Sequence, residues 1–259
     1  MPGDLRPASV RLIVGLGNPG KDYERTRHNA GFWLVERFAV QSDVVLRKDG
    51  KFQALVGRIE PSGGANGAWL VLPQGFMNAS GRAVQMLAGF FKIPAAEILV
   101  VHDELDFSPG VAKLKQGGGI AGHNGLKDIS QRLGTHDYWR LRLGIGHPGD
   151  KDAVAGYVLQ KPLPEERALI DASIARGIEA LPLCLSGDMQ GAMQKLHTAE
   201  REKPAEKEKP VEKKAAERKT EPKAETRIET KPEAKPEPAS EKGGLKGLLG
   251  SLLHPGRRK

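Results

Sequence analysis

The sequence predicts one α/β domain, a mixed and twisted β-sheet with helices on both faces, followed by a disordered tail. Three observations lead there. Apolar runs of strand length interleave with stretches of helical period up to about residue 198. Some of those runs follow one another through short turns, a connection that antiparallel strands permit and parallel strands do not. From Glu200 the composition shifts to almost pure Glu, Lys, Pro and Ala, which cannot build a core. The expected divisions are a domain over 1–199, a linker over 200–242 and a leucine-rich basic segment over 243–259.

The elements follow in order. Val10–Leu16 is a short apolar run ending in glycine, the pattern of a buried strand. Ala30–Val40 carries Phe32, Trp33, Val35, Phe38 and Ala39 at helical spacing. Phe52–Ile59 and Ala68–Leu72 are strands around the turn PSGGANG. Asn78–Phe91 is helical, with Pro94 beyond its end. Ile98–Val101 is another buried strand and runs into the acidic segment HDELD. Gly110–Gln116 alternates as a half-exposed strand, with Lys113 and Lys115 on one face. Leu126–Leu133 is a short helix, Trp139–Ile145 alternates again, and Glu165–Leu185 is the last helical stretch.

Charge and cysteine content narrow the function classes. Of 259 residues, 40 are Lys or Arg and 32 Asp or Glu, a net charge of +8. From residue 200 onward lie 17 of the cations and 12 of the acids, which leaves only +3 on the domain. Net charge therefore argues neither for nor against RNA; a cationic face would. The single cysteine, Cys184, excludes an internal disulfide and a thiolate zinc cage. The opening MPGDLRPASV has no signal-peptide core, and no apolar run reaches the ~18 residues of a membrane span, so a cytoplasmic protein is expected.

Gly15-Leu16-Gly17-Asn18-Pro19-Gly20 matches a dinucleotide fingerprint after a strand. That site needs a helix beginning within the glycine loop, facing the pyrophosphate. Here KDYERTRHN intervenes, and helical periodicity starts only near Ala30. The loop reads instead as a sharp turn exposing Asn18 at the carboxyl edge of the sheet.

Four polar clusters adjoin strands or helices: GLGNPGKDYERTRHNAG, GFMNASG, HDELD and GGGIAGHNG. They supply His28, His102, His123, Asp103, Glu104, Asp106, Asn18, Asn78 and Asn124. The histidines lack metal-site spacing, so no metal is expected. No G-x-S-x-G elbow is present, and Ser80 falls in the first turn of a helix. General-base catalysis by a histidine oriented by a carboxylate is the chemistry that remains.

The strings GLGNPG, TRHNAGF, FMNASG, HDELD, GGGIAGHNGLKDI and RLGIGHPGDK resemble, in this order, the signature segments of bacterial peptidyl-tRNA hydrolases. The similarity spans about residues 10–197. It implies a monomeric mixed-sheet α/β esterase acting on peptidyl-tRNA without cofactor. It implies His28 as catalytic base, Asp103 as its orienting carboxylate, and Asn18, Asn78 and Asn124 as amide ligands of the ester. Tyr23, Phe76 and Met77 would line the cleft. His123 and its neighbouring glycines would form a gate, and Lys115, Arg142 and Lys151 would hold phosphate at the tRNA acceptor end. Gly75 stands where a threonine is commoner. Chloroplast intron splicing factors resemble the same family, so an RNA-binding protein without turnover is the alternative.

From Glu217 to Glu237 glutamate recurs every four residues, and Pro222, Pro232 and Pro236 exclude a helix. This is the pattern of a charge-balanced linker. Beyond it Leu245, Leu248, Leu249, Leu252 and Leu253 share one helical face, expected to fold only on a partner or a membrane surface.

Overall fold

The computed structural model describes residues 9–60 and 67–201. The PSGGANG turn, apart from Gly67, lies outside the described residues, as do the Leu245–Leu253 segment and the linker expected over 200–242 apart from its first two residues, which end the last helix instead. A seven-stranded sheet has the order β2-β3-β4-β1-β5-β7-β6. Its strands are β1 (Leu12–Gly15), β2 (Arg47–Asp49), β3 (Ala54–Ile59), β4 (Ala68–Pro73), β5 (Ile98–Glu104), β6 (Ala112–Gln116) and β7 (Trp139–Gly144). β4, β1, β5 and β7 run parallel. β2, β3 and β6 join antiparallel, so the sheet is mixed as expected.

Alternation along the central strands builds two cores. Ile13, Leu70, Leu72, Leu99, Val101, Leu141 and Leu143 face one side. There they meet α1 (Ala30–Gln41), α5 (Pro164–Ser186) and α6 (Met189–Arg201). Leu12, Val14, Val71, Ile98 and Val100 face the other, against α2 (Ser80–Phe90) and α3 (Asn124–Leu133). β1, β4 and β5 are therefore apolar on both faces, which is why β1 and β5 read as continuous runs. The remaining helix, α4 (Val154–Val158), lies beyond β7.

Several boundaries differ from expectation, each for a physical reason. β5 continues three residues past Val101, because His102, Asp103 and Glu104 keep a parallel ladder with Arg142, Leu143 and Gly144. Phe52 is in a turn, not a strand: Asp49 Oδ1 accepts from the Lys51 and Phe52 amides at 2.8 and 3.2 Å. β2 has no apolar alternation to reveal it, being an exposed edge strand of sequence RKD. α5 ends at Gly187, whose φ of 88° suits a residue without a β-carbon. α6 follows at once and buries Met189, Ala192 and Leu196 on the first core.

Candidate active site

The carboxyl ends of β1, β4 and β5 deliver three of the polar clusters to one edge of the sheet. α1 packs unusually close here. A β-carbon on Gly31 would run into the Val101 carbonyl and the Leu16 backbone. That contact brings a 3-10 turn, Arg27–Asn29, against the end of β5. His28 Nδ1 thereby lies 3.0 and 2.9 Å from the two Asp103 carboxylate oxygens. Asp103 is enclosed, its side chain 2% exposed.

A second imidazole reaches the same carboxylate: His123 Nε2 is 3.0 Å from Asp103 Oδ1. Its other nitrogen accepts from the Gly125 and Leu126 amides at 3.1 and 3.4 Å, capping α3. A nitrogen that accepts two N–H groups carries no proton, so the neutral His123 ring bears its proton on Nε2 and donates it to Asp103. His28 Nδ1 faces a carboxylate that can only accept, so it donates, and in the neutral ring Nε2 is then the unprotonated lone pair. Burial opposes charge on His28, but the Asp103 charge and hydrogen bond outweigh it, and the ring titrates above the ordinary value of 6.5. Burial would raise Asp103, yet the two histidines hold it well below the usual carboxylate range. His102 donates from Nδ1 to the Asp103 carbonyl at 2.6 Å; burial pushes its pKa down to about 3, so it stays neutral.

Ligand atoms of His28, Asp103 and His123 lie within 4.8 Å of one another, a grouping that suits a divalent ion by distance. The donor chemistry does not fit one. Ligation through His123 Nε2 requires a proton on Nδ1, pointing at the two α3 amides it now accepts from.

Asparagines shape the rest. Asn29 grips the glycine loop, accepting from the Asn18 amide and donating to the Asn18 carbonyl, both at 2.9 Å. Asn18 is buried, contrary to the exposed turn expected, because its Oδ1 accepts from the Met77 amide at 2.7 Å. Among the described residues its Nδ2 has no hydrogen-bond partner. Asn78 and Asn124 are exposed at the rim, while Met77 is buried beneath.

Two cavities meet at His28. One, of about 270 Å³, is lined by Asn18, Tyr23, Phe76, Met77, Asn78 and Asn124. Phe76 is 60% exposed and meets Tyr23 edge-on at 6.1 Å. The other, of about 320 Å³, reaches Glu104, His123, Arg140, Arg142 and Lys151. His28, Asn124, Ala155 and Val158 border both. Arg142 is not a loose cation: its Nε donates to buried Glu104 at 2.8 Å, and the guanidinium lies 4.3 Å from the Phe107 ring. Lys115, expected beside it, is exposed and does not line this cavity.

A profile of the peptidyl-tRNA hydrolase family matches residues 12–206. The chain belongs to the peptidyl-tRNA hydrolase family. It is 56% identical over 192 residues to the peptidyl-tRNA hydrolase of Nitrosospira multiformis, covering 74% of this chain and all of that one. The peptidyl-tRNA hydrolase of Methylobacillus flagellatus is 56% identical over 189 residues, 73% of this chain and 97% of its own. The crystal structure of the Acinetobacter baumannii peptidyl-tRNA hydrolase superposes with a TM-score of 0.71 at 43% identity, covering 74% of this chain and 97% of that one.

Within this peptidyl-tRNA hydrolase domain, sequence reasoning passed over Asn29, Arg27 and Arg140. Asn29 adjoins His28 in TRHNAG and was within reach. Arg27 was not, since its partners are distant. It donates to the Tyr157, Gln160 and Lys161 carbonyls and to Glu166, and so docks α4 beside His28. Among the described residues no helix is long and apolar enough to cross a membrane.

Proposed function

We propose that this peptidyl-tRNA hydrolase family member cleaves the ester between a peptide and the terminal ribose of tRNA, with His28 as general base. The observation carrying this reading is the His28–Asp103 pair, with Nδ1 committed to the carboxylate and Nε2 left bare between the two cavities. A water held at Nε2 gives up a proton to it while its oxygen bonds to the ester carbonyl carbon. The Asp103 charge stabilises the imidazolium that forms, and the ring returns the proton to the departing ribose oxygen as the old C–O bond breaks. Base catalysis of this kind supplies roughly 10²–10⁴-fold. Donors aimed at the developing oxyanion supply more, and the uncommitted Nδ2 of Asn18 suits that role, with Asn78 and Asn124 holding the peptide.

The two arms divide the substrate by chemistry. Tyr23, Phe76 and Met77, apolar and partly aromatic, suit the peptide. Arg142 and Lys151 suit the phosphates of the acceptor end, with Lys115 contacting tRNA outside the cavity. The protein works as a monomer without metal or cofactor, in the cytoplasm where its substrate arises. The decisive measurement is release of peptide from N-blocked aminoacyl-tRNA by the purified chain, with and without chelator. No release, or release abolished by chelator, rejects this reading.

A further inference from the structure

Arg140 is a buried cation that forms no ion pair among the described residues. Its side chain projects from β7 on the same face as Arg142, yet the residue is only 3% exposed. The adjacent carboxylate, Glu104, is engaged by Arg142 at 2.8 Å. Arg140 instead donates from Nη1 to the Gly119 carbonyl and from Nη2 to the Gly118 carbonyl, both at 2.5 Å. Its Nε has no partner among the described residues. The guanidinium also lies 5.1 Å from the Tyr138 ring, but a buried cation met by two carbonyls and a ring is a poor stabiliser compared with an apolar side chain of similar size. Its position is better explained by what it holds.

What it holds is the middle of the glycine segment. The segment starts on the sheet, where the Gly117 amide donates to the Tyr138 carbonyl at 3.0 Å. It ends at His123, fixed to Asp103 and to the first turn of α3. Between these anchors the backbone takes φ values of 61° at Gly117, 96° at Gly118, 44° at Ala121 and 74° at Gly122. Ala121 is in the left-handed region despite its β-carbon, so it is strained. Ile120, Ala121 and Gly122 wall the cavity beside His28. With so many glycines, the chain has little stiffness of its own to keep that wall in place.

We propose that Arg140 is a positioning residue for the ester hydrolysis, clamping the Gly118 and Gly119 carbonyls so that the 120–124 wall presents His123 and Asn124 to His28 and Asp103. The inference rests on the function proposed above and names a further residue for it. Arg140 borders the cavity shared with Arg142 and Lys151, but each of its Nη atoms donates to a glycine carbonyl, so the role proposed for it runs through the loop.

The experiment compares Arg140→Met, Arg140→Lys and Arg140→Ala in the full chain. Peptide release, thermal unfolding and amide exchange are measured for each. Arg140→Met should keep a cooperative transition, lose roughly tenfold or more in kcat/KM, and exchange the 117–123 amides at least tenfold faster while β5 amides stay unchanged. Arg140→Lys should recover part of the rate, and millimolar guanidinium should partly rescue Arg140→Ala. Three results overturn the proposal: Arg140→Met within twofold of the parent in kcat/KM, a rate loss without faster loop exchange, or a loss with faster exchange throughout the sheet and rescue by neither lysine nor guanidinium. Failure of the parent protein to release peptide would instead reject the hydrolase reading, while the exchange data would still report on the clamp.

Discussion

Asp103 Oδ1 receives both imidazoles, His28 Nδ1 and His123 Nε2, each at 3.0 Å. The carboxylate that orients the base is thus also the anchor of the glycine-rich loop. Loss of the Asp103 charge therefore acts twice, on the ring that takes the proton and on the wall beside it.

His28→Ala should lower turnover by at least ~10², the low end for a lost general base, with tRNA binding retained. Asp103→Asn should slow turnover as well, since an amide cannot stabilise the imidazolium as a carboxylate does. Single-turnover release from N-blocked aminoacyl-tRNA measures both. Near-full activity in His28→Ala would reject the proposed base.

The pH dependence follows from the direction of the two shifts. His28 acts as a base only when neutral and titrates above 6.5, so kcat/KM should rise with pH and level off above that value. Asp103→Asn removes the charge that raises it, so the acid limb should move to lower pH while the plateau falls. Stability has its own sign. The raised His28 contributes fully below its unfolded value and loses that contribution as pH rises through its folded one. The depressed Asp103 contributes above the ordinary 3.8 and loses it only as pH falls through its lowered value. The melting difference between the parent and Asp103→Asn should accordingly be larger near pH 5 than near pH 9. A difference that grows toward alkaline pH would contradict the pairing.

Asn18→Asp separates the two ends of that side chain. The new carboxylate still accepts from the Met77 amide, so the loop and the melting temperature should be kept. The donor is lost, and turnover should fall by roughly 10²–10³, as for removal of one oxyanion donor. Unchanged turnover would remove Asn18 from the oxyanion role.

The cations should differ in kind. Lys115→Ala should weaken tRNA binding and reduce its salt dependence by about one contact, with no change in melting, because the side chain is exposed. Arg142→Ala should weaken binding and also destabilise by about 1–3 kcal/mol, because buried Glu104 loses its partner. Filter binding over a salt series and thermal unfolding check the contrast. Identical melting losses in both variants would refute it.

Deleting residues 202–259 should leave turnover on free peptidyl-tRNA within about twofold, since the residues lining both cavities all precede residue 160. A larger fall would give the tail a direct part in the reaction.

Much of this was legible in the residues themselves. Apolar runs on both faces fixed β1, β4 and β5 as interior strands, and helical spacing located α1, α2 and α3. The order of the polar strings pointed to His28, Asp103 and the three asparagines. Of the elements that stayed hidden, α6 does have helical spacing, through Met189, Ala192 and Leu196, while the other two lack periodicity. β2 is a polar edge strand, and α4 is a five-residue helix docked by the carbonyl contacts of Arg27. Distance in sequence hid the rest, because side-chain partners far apart leave no local pattern. His28 and Asp103 stand 75 residues apart, Asn18 and Met77 stand 59 apart, and Arg140 is 21 from Gly119. Sequence determined which groups the chain offers, since local propensity and burial pattern act over a few residues. Only the packing of α1 on the sheet and of β7 beside β5 decided that two imidazoles share one carboxylate and that Arg140 holds the loop beside them.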